Sequence, residues 1–200
     1  FGEKRTKDIS HHLRAFGHST IRLKTGTPPR ISLRSIDLSA VEVAEGDLDC
    51  SPFSIFTKKI KKNKMPCFVV DTNKKTHKII EENISSSAMF SGKISGVGPR
   101  YCPSIEDKIV RFSSRDSHKL FLEPEWFGAD QIYVNGFSTS LPETIQKEAL
   151  STIKALRGVK FIRPGYAIEY DVVPPRELKS SLESKLVGGL FLAGQINGTS

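Results

Sequence analysis

A chain of 200 residues has room for one large domain or two small ones, and a hydrophobic fraction of 38% fits a globular protein, not a disordered one. No apolar run approaches the roughly 20 residues needed to cross a bilayer, so no membrane segment is expected. The net charge of +8 suits a polyanionic partner without requiring one. Cys50, Cys67 and Cys102 share no CxxC spacing, which argues against a metal site and for a reducing compartment.

The N-terminus, FGEKRTKDIS, has neither an initiating Met nor the apolar core of a signal peptide, and the chain is expected to be an internal segment of a longer protein. Ile9, Leu13 and Phe16 recur at helical spacing, and Gly17 is a natural stop. Ile21 and Leu23 alternate as in a strand that ends at Gly26, Pro28 and Pro29. Residues 32–65 carry an acidic stretch and then the basic run KKIKKNK, which reads either as a solvated loop or as an RNA contact. PCFVVDT reads as a buried strand, followed by a helix over KKTHKIIEENI that Thr72 or Asn73 can cap. After the Gly- and Pro-rich GKISGVGPRYCPS, strands are expected at KIVRF, KLFLEPEW and IYVNGF. PETIQKEALSTIKAL at 142–156 is the clearest helix, with Ile145, Ala149, Ile153 and Leu156 on one face. KFIRPG, YAIEYDVV and GLFLAG give three more strands. The class is α/β or α+β with a mixed sheet.

Several segments could carry chemistry. In GLFLAGQINGT, an apolar strand runs into a turn where Gly194 lets a backbone approach a ligand, with amides at Gln195 and Asn197; the same residues also suit an ordinary strand exit. In GVGPRYCPSIEDK, Arg100 offers a fork for phosphate, Tyr101 a ring to stack on, and Ser104 a cap for a short helix begun by Ile105, Glu106 and Asp107. Cys102 reads either as a thiol activated beside Arg100 or as a small buried hydrophobe. KTGTPPR places Lys24 and Arg30 around a corner that binds an anion or is simply rigid. His77 and Glu81 suggest a surface pair, His118 could face either way, and Glu123 and Glu125 are a weak candidate for acid–base work.

Taken in order, RLKTGTPPRI, DTNKKTH, GVGPRYCPSIEDKIVRF, FLEPE, NGFSTSLP, RPGYAIEYD, LESK and GLFLAGQINGT resemble successive signatures of one family: the flavin-dependent enzymes, GidA or MnmG, that modify the wobble uridine of transfer RNA. The likeness runs from about residue 6 to the end and is weakest over about 37–65.

The resemblance implies an α/β chain: a partial FAD-binding Rossmann-type domain over 1–32 and 161–200, interrupted by an inserted mixed-sheet, NAD-associated domain over 33–160. It implies that Gly98, Pro99, Arg100, Tyr101, Cys102, Pro103, Ser104, Ile105, Glu106, Asp107, Lys108, Ile109, Val110, Arg111 and Phe112 form the NAD-binding stretch, and that Cys102 is catalytic. Gln195 matches a residue that contacts FAD. Thr6 stands where the family places a hydroxyl near FAD, in a run, FGEKRTKD, that departs from the usual Gly-Asp-Pro-Pro-Ser. The implied reaction adds an aminomethyl or carboxymethylaminomethyl group to C5 of uridine, with FAD, NADH and methylene-tetrahydrofolate. The implied partners are tRNA, a GTPase and a second copy of the chain, in the cytoplasm or an organelle matrix. The alternative is a nucleotide- or RNA-binding module with no chemistry of its own.

Overall fold

The computed structural model describes residues 8–47, 50–60, 65–92, 94, 96–99 and 103–198. The chain opens with helix α1 (Ile9–Ala15) and strand β1 (Ile21–Gly26). Next come β2 (Arg30–Ser32), β3 (Glu42–Ala44) and β4 (Cys67–Asp71). Helices α2 (Lys74–Glu82) and α3 (Ile105–Arg111) follow, then β5 (Lys119–Pro124), β6 (Gln131–Asn135), α4 (Glu143–Ser151), β7 (Phe161–Arg163) and β8 (Ala167–Val172). Single 3-10 turns include Ile84–Ser86, Lys154–Leu156 and Gly194–Asn197.

Six strands form one sheet in the order β3-β4-β5-β6-β2-β7. Each of its pairs is antiparallel. Among the described residues the mixed strand sense expected from the sequence does not appear within it, and the one parallel pairing is an isolated bridge, Leu23 to Val97, beside β1. The reason lies in the connections. Asp71 at the end of β4 pairs with Lys119 at the start of β5, so the chain leaves and re-enters at the same end of the sheet although α2 and α3 intervene.

Period-two alternation turns Leu120, Leu122, Ile132 and Val134 toward the helices, where they pack with Ile31, Val70, Ile80, Ile105, Ile109 and Leu150 in one core. Each such side chain stabilises the fold by about 1.5–3 kcal/mol on burial. A smaller, separate core holds Leu13, Val173, Leu178 and Leu192 around the antiparallel pair β1-β8.

Local signals explain the helix bounds. The Asn73 side chain accepts the backbone N–H groups of Lys75 and Thr76 at 2.9 and 3.1 Å, and Thr76 Oγ1 returns the bond, starting α2. KIVRF, expected as a strand, instead lies mostly in α3: the Ser104–Asp107 capping box begins a helix that overrides the strand preference of Ile109 and Val110. The helix expected over 142–156 ends at Ser151. Thr152 Oγ1 bonds back to Ala149 O at 2.7 Å, and Ile153 is extended before the turn at Lys154. GLFLAG, expected as a strand, makes one bridge, Phe191 to Glu183, and then a 3-10 turn. On α1 only Leu13 is buried; Ile9 and Phe16 are exposed.

Candidate functional site

A cavity of about 220 Å³ opens beside β1. Lys24 forms one wall, Met89 and Phe90 a second, and Gly98, Pro99, Pro103, Asp107 and Arg111 the rest. Backbone bonds join these segments. Lys24 N donates to Val97 O at 3.1 Å and Val97 N to Arg22 O at 3.2 Å, which lays the chain before Gly98 along β1. Ile105 N donates to Ser138 O at 2.7 Å, fixing the start of α3. Lys24 Nζ donates to Met89 O at 2.9 Å.

Behind this wall, Glu106 is fully buried. Its Oε1 accepts Ser87 Oγ–H at 3.0 Å, Thr139 Oγ1–H at 3.0 Å and the Ser140 backbone N–H at 3.1 Å. Ser140 Oγ accepts Met89 N–H at 3.0 Å, so the carboxylate, which holds the Ser140 backbone N–H, steadies the Met89 loop through Ser140. Glu106 is therefore a positioning residue. A buried acceptor with three donors around it keeps those donors from being left unsatisfied.

The stretch Gly98–Phe112 thus divides. Gly98, Pro99, Pro103, Asp107 and Arg111 line the cavity. Ser104, Ile105, Glu106 and Ile109 are buried in the fold, Lys108 Nζ reaches Gly136 O at 3.0 Å, and Val110 and Phe112 are exposed. Arg100, Tyr101 and Cys102 lie outside the described residues, as does Thr6. Gln195 is exposed on the turn Gly194–Asn197, which Val173 N pins by donating to Ile196 O at 2.8 Å. Gly194 there has φ +78 and open space where a side chain would stand, so its backbone is approachable by a ligand.

The KTGTPPR corner is rigid. Thr27 N donates to Tyr166 O at 2.9 Å, and Tyr166 N donates back to Thr27 Oγ1 at 3.0 Å. Arg30 is committed within the protein: its Nε lies 3.1 Å from Glu125 Oε1 and its guanidinium 4.9 Å over the Tyr133 ring. Lys24 of this motif reaches the cavity and Arg30 does not. Glu125 also accepts from Gln131, and Glu123 accepts from Asn135 Nδ2 at 2.9 Å, so both glutamates serve the sheet's open face.

His77 is buried against Thr72 Oγ1 at 2.7 Å instead of standing on the surface with Glu81, and the His118 ring lies 5.2 Å from it. A network centred on His18 gives no signal in the sequence: Nδ1 meets Glu177 Oε2 at 2.9 Å and Nε2 meets Ser184 Oγ at 2.8 Å. Lys58 and Lys59 are exposed beside exposed Phe53, Ile55 and Phe56; Lys61, Lys62 and Lys64 lie outside the described residues. Among the described residues there is no His/Cys/Asp/Glu cluster that could hold a metal, and no helix long and apolar enough to cross a membrane.

The family model for glucose inhibited division protein A matches residues 1–200. The chain is 51% identical over 199 residues to the tRNA uridine 5-carboxymethylaminomethyl modification enzyme MnmG of Campylobacter fetus, covering 100% of this chain and 32% of that protein. It is 55% identical over 193 residues to the enzyme of the same name from Chlorobium phaeovibrioides, covering 96% and 31%. The structure of Aquifex aeolicus GidA in its form I crystal superposes with a TM-score of 0.87 at 50% identity, covering 100% of this chain and 34% of that one. The chain therefore spans about a third of the length of these relatives. Its helices and two sheets fit the α/β class with a partial Rossmann-type fold. The chain belongs to the glucose inhibited division protein A family.

Proposed function

We propose that this chain is a segment of an FAD-dependent enzyme that adds a carboxymethylaminomethyl or aminomethyl group to C5 of the wobble uridine of certain tRNAs. The observation that carries this reading is the 51% identity, over the whole chain, to a relative named for tRNA uridine 5-carboxymethylaminomethyl modification. NADH and methylene-tetrahydrofolate complete the set of small molecules. A GTPase, tRNA and a second copy of the full-length protein are the partners, in the cytoplasm or an organelle matrix.

Residues 1–32 and 161–200 are assigned to the FAD domain and 33–160 to an inserted NAD-associated domain. The two separate hydrophobic cores support the division. The six-stranded sheet also takes in β2 and β7, the strands next to the assigned boundaries at 32 and 161. Bound FAD supplies the redox chemistry; Gln195, exposed on its turn, and Thr6 are the residues assigned to hold it, and the open space at Gly194 suits the approach of a flavin edge. The stretch Gly98–Phe112 is assigned to NADH. Cys102 is assigned as the nucleophile, since a thiolate beside a cation attacks an electron-poor ring carbon far better than a hydroxyl does.

The test is deletion of the gene and its replacement with the wild-type or Cys102→Ser full-length gene, read by mass spectrometry of tRNA nucleosides and by flavin absorbance of the purified protein. The wild type restores the modification and is yellow; Cys102→Ser stays yellow and does not restore it. Persistence of the wobble-uridine modification in the deletion strain overturns the reading.

A further inference from the structure

We infer that Lys24 is the phosphate-binding cation of the cavity beside β1, a deepening that rests on the NADH reading above. Lys24 stands more than seventy positions before the NAD stretch in the sequence, and the fold brings it to the same cavity as Pro99, Pro103 and Asp107.

Three observations point to an anion. First, Lys24 is partly buried, and its ammonium donates to the Met89 carbonyl at 2.9 Å. Among the described residues no carboxylate lies within ion-pair distance of it, so a desolvated ammonium keeps donors to spare. Secondly, the acidic wall residue is already engaged. Asp107 Oδ2 accepts the Ser104 backbone N–H at 3.2 Å, and Asp107 Oδ1 lies 3.6 Å from Arg111 NH2. The cavity thus carries two cations against one satisfied carboxylate. Thirdly, Phe90, Pro99 and Pro103 offer flat apolar surfaces and add no carboxylate to oppose an anion. At about 220 Å³ the cavity is smaller than the roughly 300–1,000 Å³ that enclose a whole drug-sized ligand. It therefore takes one nucleotide half of the dinucleotide, with its planar ring against the apolar wall and an oxygen of the bridging pyrophosphate on Lys24 Nζ.

The experiment uses the full-length flavoprotein and two probes, NADH and reduced nicotinamide riboside, which lacks phosphate. Affinity is measured for wild type, Lys24→Met and Lys24→Arg, with flavin content as the check on folding. Lys24→Met is expected to weaken NADH binding about tenfold or more, the effect of one lost charge-assisted hydrogen bond, and to leave the riboside unchanged. Lys24→Arg retains most of the NADH affinity, because a guanidinium also binds phosphate. Equal NADH affinity in wild type and Lys24→Met overturns the role of Lys24 while leaving the NADH reading intact. Equal losses for NADH and the riboside also overturn it, since that pattern reports a disturbed Met89 wall. A wild-type protein that does not bind NADH at all removes the reading and the inference together.

Discussion

One amide joins Gln146 on α4 to Gly165 through two hydrogen bonds: Gln146 Oε1 accepts the Gly165 N–H at 2.8 Å, and Gln146 Nε2 donates to the Gly165 carbonyl at 2.8 Å. The same Nε2 donates to Leu141 O at 2.7 Å. A fully buried glutamine here does the work of a strand partner, satisfying a loop backbone that has no ladder. It locks the chain just after β7, beside Thr27, where a Cβ on Gly165 would overlap the Thr27 carbonyl.

Gln146→Leu is therefore expected to destabilise the protein by roughly 2–4 kcal/mol, because it keeps the volume but leaves buried backbone groups unpaired. Gly165→Ala is expected to cost at least as much. Urea denaturation measures both. A loss below about 0.5 kcal/mol for Gln146→Leu would show that water replaces the amide at no cost.

Glu106 makes a second prediction. Glu106→Ala removes the acceptor shared by Ser87, Thr139 and Ser140 and should cost roughly 2–4 kcal/mol. Glu106→Gln keeps an acceptor oxygen and should cost less than half as much. Since the carboxylate holds the Met89 loop through Ser140, Glu106→Ala should also weaken any ligand of the cavity beside β1. Equal stability of the Ala and Gln variants would contradict the network.

The sequence disclosed what depends on near neighbours. The cap at Asn73, the strand β4 and the first two turns of α4 rest on bonds or periodicity within a few residues. α3 was misread at KIVRF because Ile109 and Val110 favour strands locally, while the Ser104 cap just upstream decides the outcome. The cavity was legible in half: GVGPRYCPSIEDK stood out by composition, but Met89 is 65 positions from Lys24 and carries no local mark. His18 was invisible for the same reason, with partners 159 and 166 positions away. Strand sense failed too, because the return of the chain from Asp71 to Lys119 is a tertiary fact.

A pH effect follows from His77 and His118. Burial pushes the His77 ring below its ordinary value of 6.5, outweighing Glu81 and Asp116, which raise it. Burial also lowers His118, with His77, Lys108 and Arg115 acting in the same direction. Between the lowered folded values and 6.5 the unfolded chain binds more protons than the folded one, so stability rises with pH across that window and is fully present above it. Urea midpoints should fall as pH drops from about 7 to about 5. The fall should shrink in a His77→Asn, His118→Asn double variant. A fall of the same size in both proteins would assign it to other groups.

The last prediction concerns Ser184, His18 and Glu177, which stand in hydrogen-bonded series like a nucleophile, base and orienting acid. The order of contacts is that of a hydrolase, but the surroundings are not. Ser184 is 1% exposed, and its Oγ accepts the backbone N–H groups of Leu186 and Val187 at 3.0 and 2.9 Å. Its lone pairs are spent on the backbone and no substrate carbon can reach it. Glu177 is held at the other end by Ser19, whose hydroxyl bond is the leading cause of its lowered pKa. The series is a brace between the end of α1 and the segment 177–187. The full-length protein should therefore not be labelled by a fluorophosphonate, a reagent that requires an accessible activated serine. His18→Ala should destabilise it by roughly 2–4 kcal/mol, by stranding two polar groups and opening a cavity. Labelling at Ser184 that disappears in His18→Ala would make this a reactive site instead of a brace.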